Sequence, residues 1–165
     1  MYYDALIRNN TRGRFMPSAT KRNYTPSDCV CFAMRSAARA VTALYDTKMA
    51  EANLTNGQFT ILSVLSGRGR LKISELQKVC QVEQSTMSRE VRTLRERGLV
   101  ERVPSEDARV RLFQLTRTGK QKLKQAEVLW GEVHDEMRSS LGLSAMTGLL
   151  DSLNDIKGLV QQKNP

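Results

Sequence analysis

The segment RLKISELQKVCQVEQSTMSREVRTLRERGLVERV, residues 70–103, carries the pattern that decides the fold of this chain. Residues 71–73 predict a short strand, and residues 74–80 predict a short helix whose apolar side chains face inward. After a turn, a second helix is predicted from Ser85 onward. Gly98 is expected to end it, as glycine commonly does just past the last helical residue. Two helices joined by a tight turn form a helix-turn-helix.

The second helix of this pair has an apolar face and a basic face. Met87, Val91 and Leu94 recur at helical spacing and predict the buried face. The arginines of the helix lie largely off that face: Arg89, Arg92, Arg95 and Arg97. For Arg95 and Arg97, the favoured interpretation is pairing in solvent with Glu96 or Glu101.

Two short segments of alternating character follow. LVERV, residues 99–103, and VRLFQL, residues 110–115, alternate apolar and polar side chains as half-buried strands do. PSEDAR, residues 104–109, lies between them and predicts a hairpin. A helix-turn-helix followed by a hairpin is a winged helix-turn-helix. The predicted fold class is therefore mainly α with a small β wing.

Helical patterns flank this unit on both sides. Residues 27–54 predict a long helix, which Ser27 and Asp28 are placed to cap with their side-chain oxygens. Residues 119–163 predict two further helices with apolar stripes. A winged helix does not need these helices to fold, so we expect them to form a helical dimerisation region of a homodimer. The alternative is one intramolecular bundle.

The remaining boundaries follow from start and stop signals. Thr55 is expected to cap the first helix of the DNA-binding domain, residues 55–118, and the pair Gly67 and Gly69 is expected to end it. Residues 1–26 are polar and basic without helical or strand period, which is typical of a flexible arm. The arm could also touch DNA phosphates.

Composition restricts the class of protein. The chain has 165 residues, enough for one compact domain, and 26 Lys and Arg against 17 Asp and Glu give a net charge of +9. That excess suggests an anionic partner, most commonly nucleic acid, with a solvated basic surface as the alternative. No apolar run approaches the ~20 residues of a membrane-spanning helix, and no signal peptide is evident. We therefore expect a cytoplasmic protein without a membrane partner.

The predicted partner is double-stranded DNA. A recognition helix reads base edges from its N-terminal turns, where short polar side chains approach closely. Arg89 is the strongest candidate for a base contact, because a guanidinium can bridge two acceptors on guanine. Arg92 lies one turn further on and is expected to meet phosphate. The alternative for Ser85 is that it only caps the helix. The candidate contacts on this helix are Gln84, Ser85, Thr86, Ser88, Arg89 and Arg92.

From Cys29 to about Leu159, the chain resembles regulators of the MarR (multiple antibiotic resistance regulator) family. The carrying motifs are STMSREVRTLRERGLVER, residues 85–102, and DARVRLFQLTRTGKQKL, residues 107–123. The second contains the family's Asp-x-Arg in the wing and a strand ending in Leu-Thr-x-x-Gly. The resemblance implies a mostly helical dimer that carries two winged helix-turn-helix lobes.

The wing is expected to contact the minor groove of DNA. A minor groove attracts arginine through its negative potential, and Asp107 can hold Arg109, two residues later, in one rotamer. The family resemblance assigns the same pair to minor-groove contact. Arg111 would lie nearby, as a phosphate contact or as ordinary surface. Dimeric binding predicts a near-palindromic site with half-sites about one helical turn apart.

Two cysteines stand at the head of the first predicted helix. Cys29 and Cys31 are ~200° apart around a helix, so they can neither form a good internal disulfide nor chelate one metal without unwinding its first turn, and no metal site or other cofactor is predicted. The first turn of a helix stabilises a thiolate, and Arg35 shares the face of Cys31. A thiolate is the form that peroxides attack. Cys80 is expected in the core of the helix-turn-helix.

The same stretch resembles the organic-hydroperoxide-sensing branch of the family, whose reactive cysteine sits in a CFA motif, here residues 31–33. Arg39 and Tyr45 match that branch, and its use of the tyrosine implies a contact across the dimer, since ~21 Å of helix separate Cys31 from Tyr45. This chain departs from the branch at two positions, since Arg35 and Asn56 stand where the branch has tyrosines. The resolving thiol would be Cys29 or a small thiol.

Three other functions remain open from the sequence. A small planar aromatic or phenolic ligand could act without thiol chemistry, in a cleft near Arg35, Arg39 and Tyr45. An architectural DNA binder would respond to nothing. A thiol-dependent peroxidase would use an activated cysteine, but no catalytic dyad accompanies Cys31, so we expect a regulator, most simply a repressor, and not an enzyme.

Overall fold

The structure, a computed structural model, describes residues 25, 28–106 and 109–163. The chain divides into two compact units, Met1–Ala37 and Ala38–Pro165. The described residues form six α-helices, one short 3-10 helix and two strands. In chain order these are α1 (Val30–Met49), the 3-10 helix (Ala50–Ala52), α2 (Asn56–Arg68), α3 (Ile73–Cys80), α4 (Gln84–Glu96), β1 (Val100–Val103), β2 (Leu112–Leu115), α5 (Arg117–Leu141) and α6 (Leu143–Lys163).

The predicted fold class, mainly α with a small β wing, is confirmed. Helices α3 and α4 form the helix-turn-helix, and Gln81 adopts a left-handed φ of 53° between them. Met87, Val91 and Leu94 of α4 are all buried, as their spacing predicts. Strands β1 and β2 pair antiparallel and form the wing. Except for Thr25, the predicted arm lies outside the described residues.

The short strand predicted at residues 71–73 is wrong in extent. Leu71 alone forms a bridge to Phe113, with reciprocal N–H···O distances of 3.1 and 2.9 Å. Helix α3 already begins at Ile73, because the Glu75 carboxylate accepts a hydrogen bond from the backbone N–H of Lys72 at 2.7 Å. This contact across the first turn fixes the start of the helix before a strand can form.

The predicted start of α1 also needs correction. Asp28 does not cap the helix: its Oδ2 accepts from the backbone N–H and the hydroxyl of Thr25, at 2.8 and 2.9 Å. These two bonds, the backbone one first, lower the pKa of Asp28. Ser27 lies outside the described residues, and α1 begins at Val30.

The limits of α2 agree with the predicted cap and only partly with the predicted stop. Thr55 Oγ1 accepts from the backbone N–H of Gln58 at 3.1 Å, which confirms the predicted N-cap. Gly69, at φ 78°, ends the helix and donates its N–H to the carbonyl of Leu65. Gly67 does not help to end it, because it lies within the last helical turn.

One apolar core joins the helix-turn-helix, the wing and the start of α5. Its most buried members include Leu62 of α2, Leu76 of α3, Leu94 of α4 and Phe113 of β2. Cys80 is half-buried and packs against this core, as expected. The core therefore holds α4 between two helices and the sheet, with its opposite face in solvent.

The start of α5 is fastened to the end of the helix-turn-helix. The Thr116 hydroxyl accepts from the N–H of Gly119 at 2.9 Å and donates to the carbonyl of Gly98 at 2.7 Å. Gly119 lies so close to the residue before β1 that a Cβ added to it would be 2.0 Å from the carbonyl oxygen of Leu99. The Thr-x-x-Gly motif thus has a physical reason: one residue caps the helix and the other allows close packing.

Apolar side chains of the outer helices remain exposed in the single chain. On α1 these are Val30, Phe32, Val41 and Leu44, and on α5 and α6 they include Leu141, Leu143, Leu149, Leu150 and Leu159. None of the described helices is long and apolar enough to cross a membrane.

Candidate nucleic-acid interface

The N-terminal turns of α4 present polar side chains to solvent. Gln84, Ser85 and Arg89 are exposed, while Thr86 and Ser88 are half-buried. The residue preceding the helix is Glu83, whose side chain makes no capping hydrogen bond. The alternative that Ser85 caps this helix is therefore wrong, because Ser85 is the second helical residue and its hydroxyl lies on the exposed surface.

The arginines of α4 differ in their partners. Arg92 donates from Nε to Glu96 Oε1 at 2.8 Å, and both side chains are exposed. Arg89 is 74% exposed, and its Nη2 lies 3.9 Å from Glu90 Oε1. At these distances and exposures both arginines can exchange a solvated carboxylate for another anion at little cost.

The predicted pairing of Arg95 and Arg97 with Glu96 or Glu101 is wrong. The guanidinium carbon of Arg95 lies 5.9 Å from the ring centroid of Phe113. Arg97 donates to Gln58 Oε1 at 3.1 Å and to the carbonyl of Asn53. The partners of both arginines lie outside α4 and far away in the sequence, so spacing along one helix could not reveal them.

Four arginines surround a small recess of about 150 Å³ between α4 and the wing. Its floor is apolar and includes Val91 and Phe113, and Ser88 lies at its edge. Sequence reasoning had selected Ser88, Arg92 and Arg111, and the structure brings these three together here. The four arginines are Arg92 and Arg95 of α4, Arg102 of β1, and Arg111, which is the residue before β2.

Arg102 was missed by the sequence analysis. It pairs in register with Phe113 across the sheet, so the two side chains share a face. The alternation within β1 held this signal, because it determines which face of the hairpin each side chain occupies. At the tip of the wing, Arg109 is exposed, whereas Asp107 lies outside the described residues. The predicted Asp107–Arg109 pair therefore stays a prediction.

The three cysteines occupy different surroundings. Cys31 lies in the first turn of α1 and is exposed, and Cys29, just before the helix, is exposed as well. Cys80 is half-buried, and this burial raises the pKa of its thiol. Within the described ranges no group of three or more His, Cys, Asp or Glu side chains could hold a metal ion.

This difference predicts two fast thiols and one slow thiol per chain. With a chromogenic disulfide reagent at pH 8, we expect Cys29 and Cys31 to react first. Cys80 is expected to react at least about tenfold more slowly, because burial limits both access and its thiolate fraction. In Cys80→Ser the slow phase is expected to disappear. Three thiols reacting at one rate would contradict the burial of Cys80.

The residues predicted to share a ligand cleft have different environments. Tyr45 is 9% exposed, its ring centroid lies 6.3 Å from that of Trp130, and burial raises the pKa of its hydroxyl. Arg39 instead lines an open groove of about 350 Å³ with Thr42 and Asp46. Tyr45 is not part of the lining of that groove. Arg35 is exposed.

Tyr45 belongs to an aromatic cluster, centred on Trp130, that the sequence analysis missed. Trp130 of α5 stacks on His134 at 4.8 Å between ring centroids and also lies 6.3 Å from Phe59 of α2. Next to it, Lys48 of α1 pairs with Glu132 of α5 at 2.7 Å. The four-residue spacing of Trp130 and His134 was the available signal, since such residues are neighbours on a helix. The cluster joins the C-terminal part of α1 to α2 and α5.

Comparison with known proteins agrees with this fold. The sequence profile of the MarR family matches residues 54–110. An uncharacterized HTH-type transcriptional regulator of Bacillus subtilis, YxaD, is 30% identical over 105 residues, which are 62% of this chain and 73% of YxaD. The fold and these matches define the class as winged helix-turn-helix transcriptional regulators. The chain belongs to the MarR family.

Solved structures extend the similarity to most of the chain. The M. tuberculosis transcriptional regulator MosR in complex with DNA is similar at a TM-score of 0.73 and 30% identity, over 83% of this chain and 99% of MosR. A mutant of E. coli MarR complexed with operator DNA reaches a TM-score of 0.70 at 25% identity, over 75% of this chain and 90% of MarR. These relatives are transcription regulators, which confirms the prediction of a regulator and not an enzyme.

Proposed function

We propose that this chain is a sequence-specific DNA-binding repressor that binds a near-palindromic duplex as a homodimer. The observation that carries the proposal is the exposed, polar and basic surface of α4 beside the arginine recess. The related MosR and MarR structures contain DNA, which supports the same partner here. The proposed contacts are Gln84, Ser85, Thr86, Ser88, Arg89, Arg92, Asp107, Arg109 and Arg111.

The proposed contacts divide into base reading and phosphate binding. Arg89 is free enough, at 74% exposure, to reach a guanine edge in the major groove. Arg92 and Arg111 border the recess, where Arg102 and Arg95 add positive charge, and this arrangement suits a phosphate of the backbone. Arg109, with Asp107, is proposed to enter the minor groove from the tip of the wing.

The homodimer is supported by apolar surface that one chain leaves uncovered. Val41 and Leu44 of α1 and Leu149, Leu150 and Leu159 of α6 are exposed. Burying such side chains against a second copy stabilises by roughly 25 cal/mol per Å² of apolar area. We therefore propose dimerisation through residues 27–54 and 119–163, with residues 55–118 as the DNA-binding lobe and 1–26 as an arm.

The proposed effector is an organic hydroperoxide acting on Cys31. Its exposure at the head of α1 supports attack by the thiolate on a peroxide oxygen. The O–O bond breaks, the alcohol leaves, and Cys31 becomes a sulfenic acid; a second thiol, Cys29 or a small thiol, then forms a disulfide and releases water. Tyr45 packs against Trp130 in its own chain, and its contact with Cys31 of a second copy is part of this proposal.

Fluorescence anisotropy of a labelled duplex, taken from the DNA upstream of the gene that encodes this protein, tests both the proposed DNA binding and the proposed response to peroxide. We expect tight binding by reduced protein, release after one equivalent of cumene hydroperoxide, and no release in Cys31→Ser. Cys80→Ser, whose thiol is half-buried, is the matched control and is expected to release like the wild type.

The possible outcomes distinguish a failure of peroxide sensing from a failure of DNA recognition. Binding that peroxide does not change would reject Cys31 as the sensor and favour a small aromatic ligand near Arg39, whose open groove includes the carboxylate of Asp46. No preference for this duplex over a scrambled one would reject the proposed DNA recognition itself.

A further inference from the structure

Gln58 is the single buried polar side chain of the described core, at 8% exposure. It lies in the first turn of α2, and its amide contacts α4 at two points. Nε2 donates to Glu90 Oε2 at 3.0 Å, and Oε1 accepts from Arg97 Nη1 at 3.1 Å. Oε1 also accepts from the backbone N–H of Thr55 at 3.4 Å. Both ends of the amide are therefore satisfied inside the domain.

The two residues that the Gln58 amide contacts occupy well-separated backbone positions along α4. Glu90 lies in the middle of α4 and Arg97 follows its last residue, so their backbone positions are about 10 Å apart along the axis at 1.5 Å per residue, and their side chains converge on one amide. Because one amide is bonded to side chains that start from two different turns of α4, it opposes both rotation of the helix about its axis and sliding along it. The apolar contacts of Met87, Val91 and Leu94 hold α4 in place, but apolar attraction has no preferred direction.

The same amide is linked to the proposed base-reading side chain. Glu90 gives one carboxylate oxygen to Gln58, and its other oxygen lies 3.9 Å from Arg89 Nη2. While Gln58 holds Glu90, the carboxylate keeps one orientation and Arg89 stays solvent-exposed. Without that hydrogen bond, Glu90 can turn toward Arg89 and compete with DNA for its guanidinium.

On the other side, the hydrogen bonds continue toward α1. Arg97 also donates to the carbonyl of Asn53, which has a left-handed φ of 52° in the connection before α2. The Asp46 carboxylate of α1 accepts from the backbone N–H of Asn56 at 2.6 Å. Polar contacts therefore join the C-terminal part of α1 to the start of α2, and the connection before α2 and its first turn to α4.

We infer that Gln58 is a positioning residue for DNA recognition: with Glu90 and Arg97 it sets the orientation of α4, and hence the aim of Arg89. This inference rests on the proposed function. A burial cost accompanies the polar amide, and an apolar side chain would fill the site without that cost. What the amide adds is direction, which is needed to read bases and is not needed for attraction to phosphates.

An exchange of the two partners tests this role. Gln58→Glu keeps an acceptor for Arg97 but places a carboxylate against Glu90, so the hydrogen bond to Glu90 is lost. Glu90→Gln keeps the bond, because its side-chain oxygen still accepts from Gln58 Nε2. The double variant Gln58→Glu/Glu90→Gln restores the bond with donor and acceptor reversed, and its net charge equals that of the wild type.

The measured quantity is discrimination, the ratio of affinities for the upstream duplex and a scrambled duplex at one salt concentration. We expect Gln58→Glu to lower this ratio by about tenfold, Glu90→Gln to stay within about twofold, and the double variant to recover most of the loss. Circular dichroism at the binding temperature checks that each variant is folded, since a merely structural role would lower stability and leave the ratio unchanged.

A ratio unchanged in folded Gln58→Glu, or not recovered in the double variant, would overturn the inference. If Gln58→Glu does not fold, Arg97→Met at the exposed end of α4 removes the second contact and is expected to lower the ratio similarly; an unchanged ratio there would also overturn it. A wild-type protein that does not distinguish the two duplexes would instead overturn the proposed function on which the inference rests.

Discussion

Replacing Gly119 by alanine is expected to lower the free energy of unfolding by about 3 kcal/mol. The added Cβ would lie 2.0 Å from the carbonyl oxygen and 2.9 Å from the carbonyl carbon of Leu99. Both are backbone atoms, and the same carbonyl accepts the N–H of Thr116 at 3.1 Å, so it cannot move without loss. Urea denaturation at one fixed protein concentration measures the change.

Gly131 provides the matched control on the same helix. A Cβ added there meets nothing within 4 Å. Gly131→Ala is therefore expected to raise the free energy of unfolding by about 0.5–1 kcal/mol, because alanine favours the helical conformation and loses less backbone entropy on folding. Equal effects at the two positions would show that α5 does not pack closely on Leu99.

Local signals in the sequence predicted most of the secondary structure and the buried face of α4. Met87, Val91 and Leu94 repeat at the helical period, and Thr55 caps α2 through residues three positions away. Such features depend on neighbours within one turn, so a single sequence contains all the information they need. The Leu71 bridge was overestimated as a strand because its partner, Phe113, lies in a distant segment.

The polar contacts of the candidate site could not be predicted in this way. Arg97 was expected to pair with a nearby glutamate, but its partners Gln58 and Asn53 lie 39 and 44 residues away in the sequence. Spacing rules describe neighbours on one helix, whereas these partners meet only after α2 and α4 pack together. The alternation within β1 predicts the face of the hairpin that Arg102 occupies, but its position beside the recess also required the register of the wing.

The contacts proposed for α4 lead to a strong prediction for DNA binding. Arg89→Ala is expected to weaken binding to the upstream duplex by about 10- to 100-fold, the usual loss for a bidentate guanine contact. The side chain is 74% exposed, so the substitution removes few internal contacts and is not expected to change stability. Binding to a scrambled duplex is expected to weaken much less, and fluorescence anisotropy on both duplexes measures the difference.

Arg92→Ala and Arg138→Ala separate base reading from general electrostatics. Arg92 borders the arginine recess, so its loss is expected to weaken both duplexes alike and to reduce the slope of log affinity against log salt by about 1. Arg138, exposed in the last turn of α5, loses the same charge outside the proposed DNA contacts; because it lies in the proposed dimerisation region, the oligomeric state of Arg138→Ala is checked first, and as a dimer this variant is expected to change neither value appreciably. If Arg89→Ala weakens both duplexes by the same factor, Arg89 binds phosphate, and base reading must come from Gln84, Ser85 or the wing.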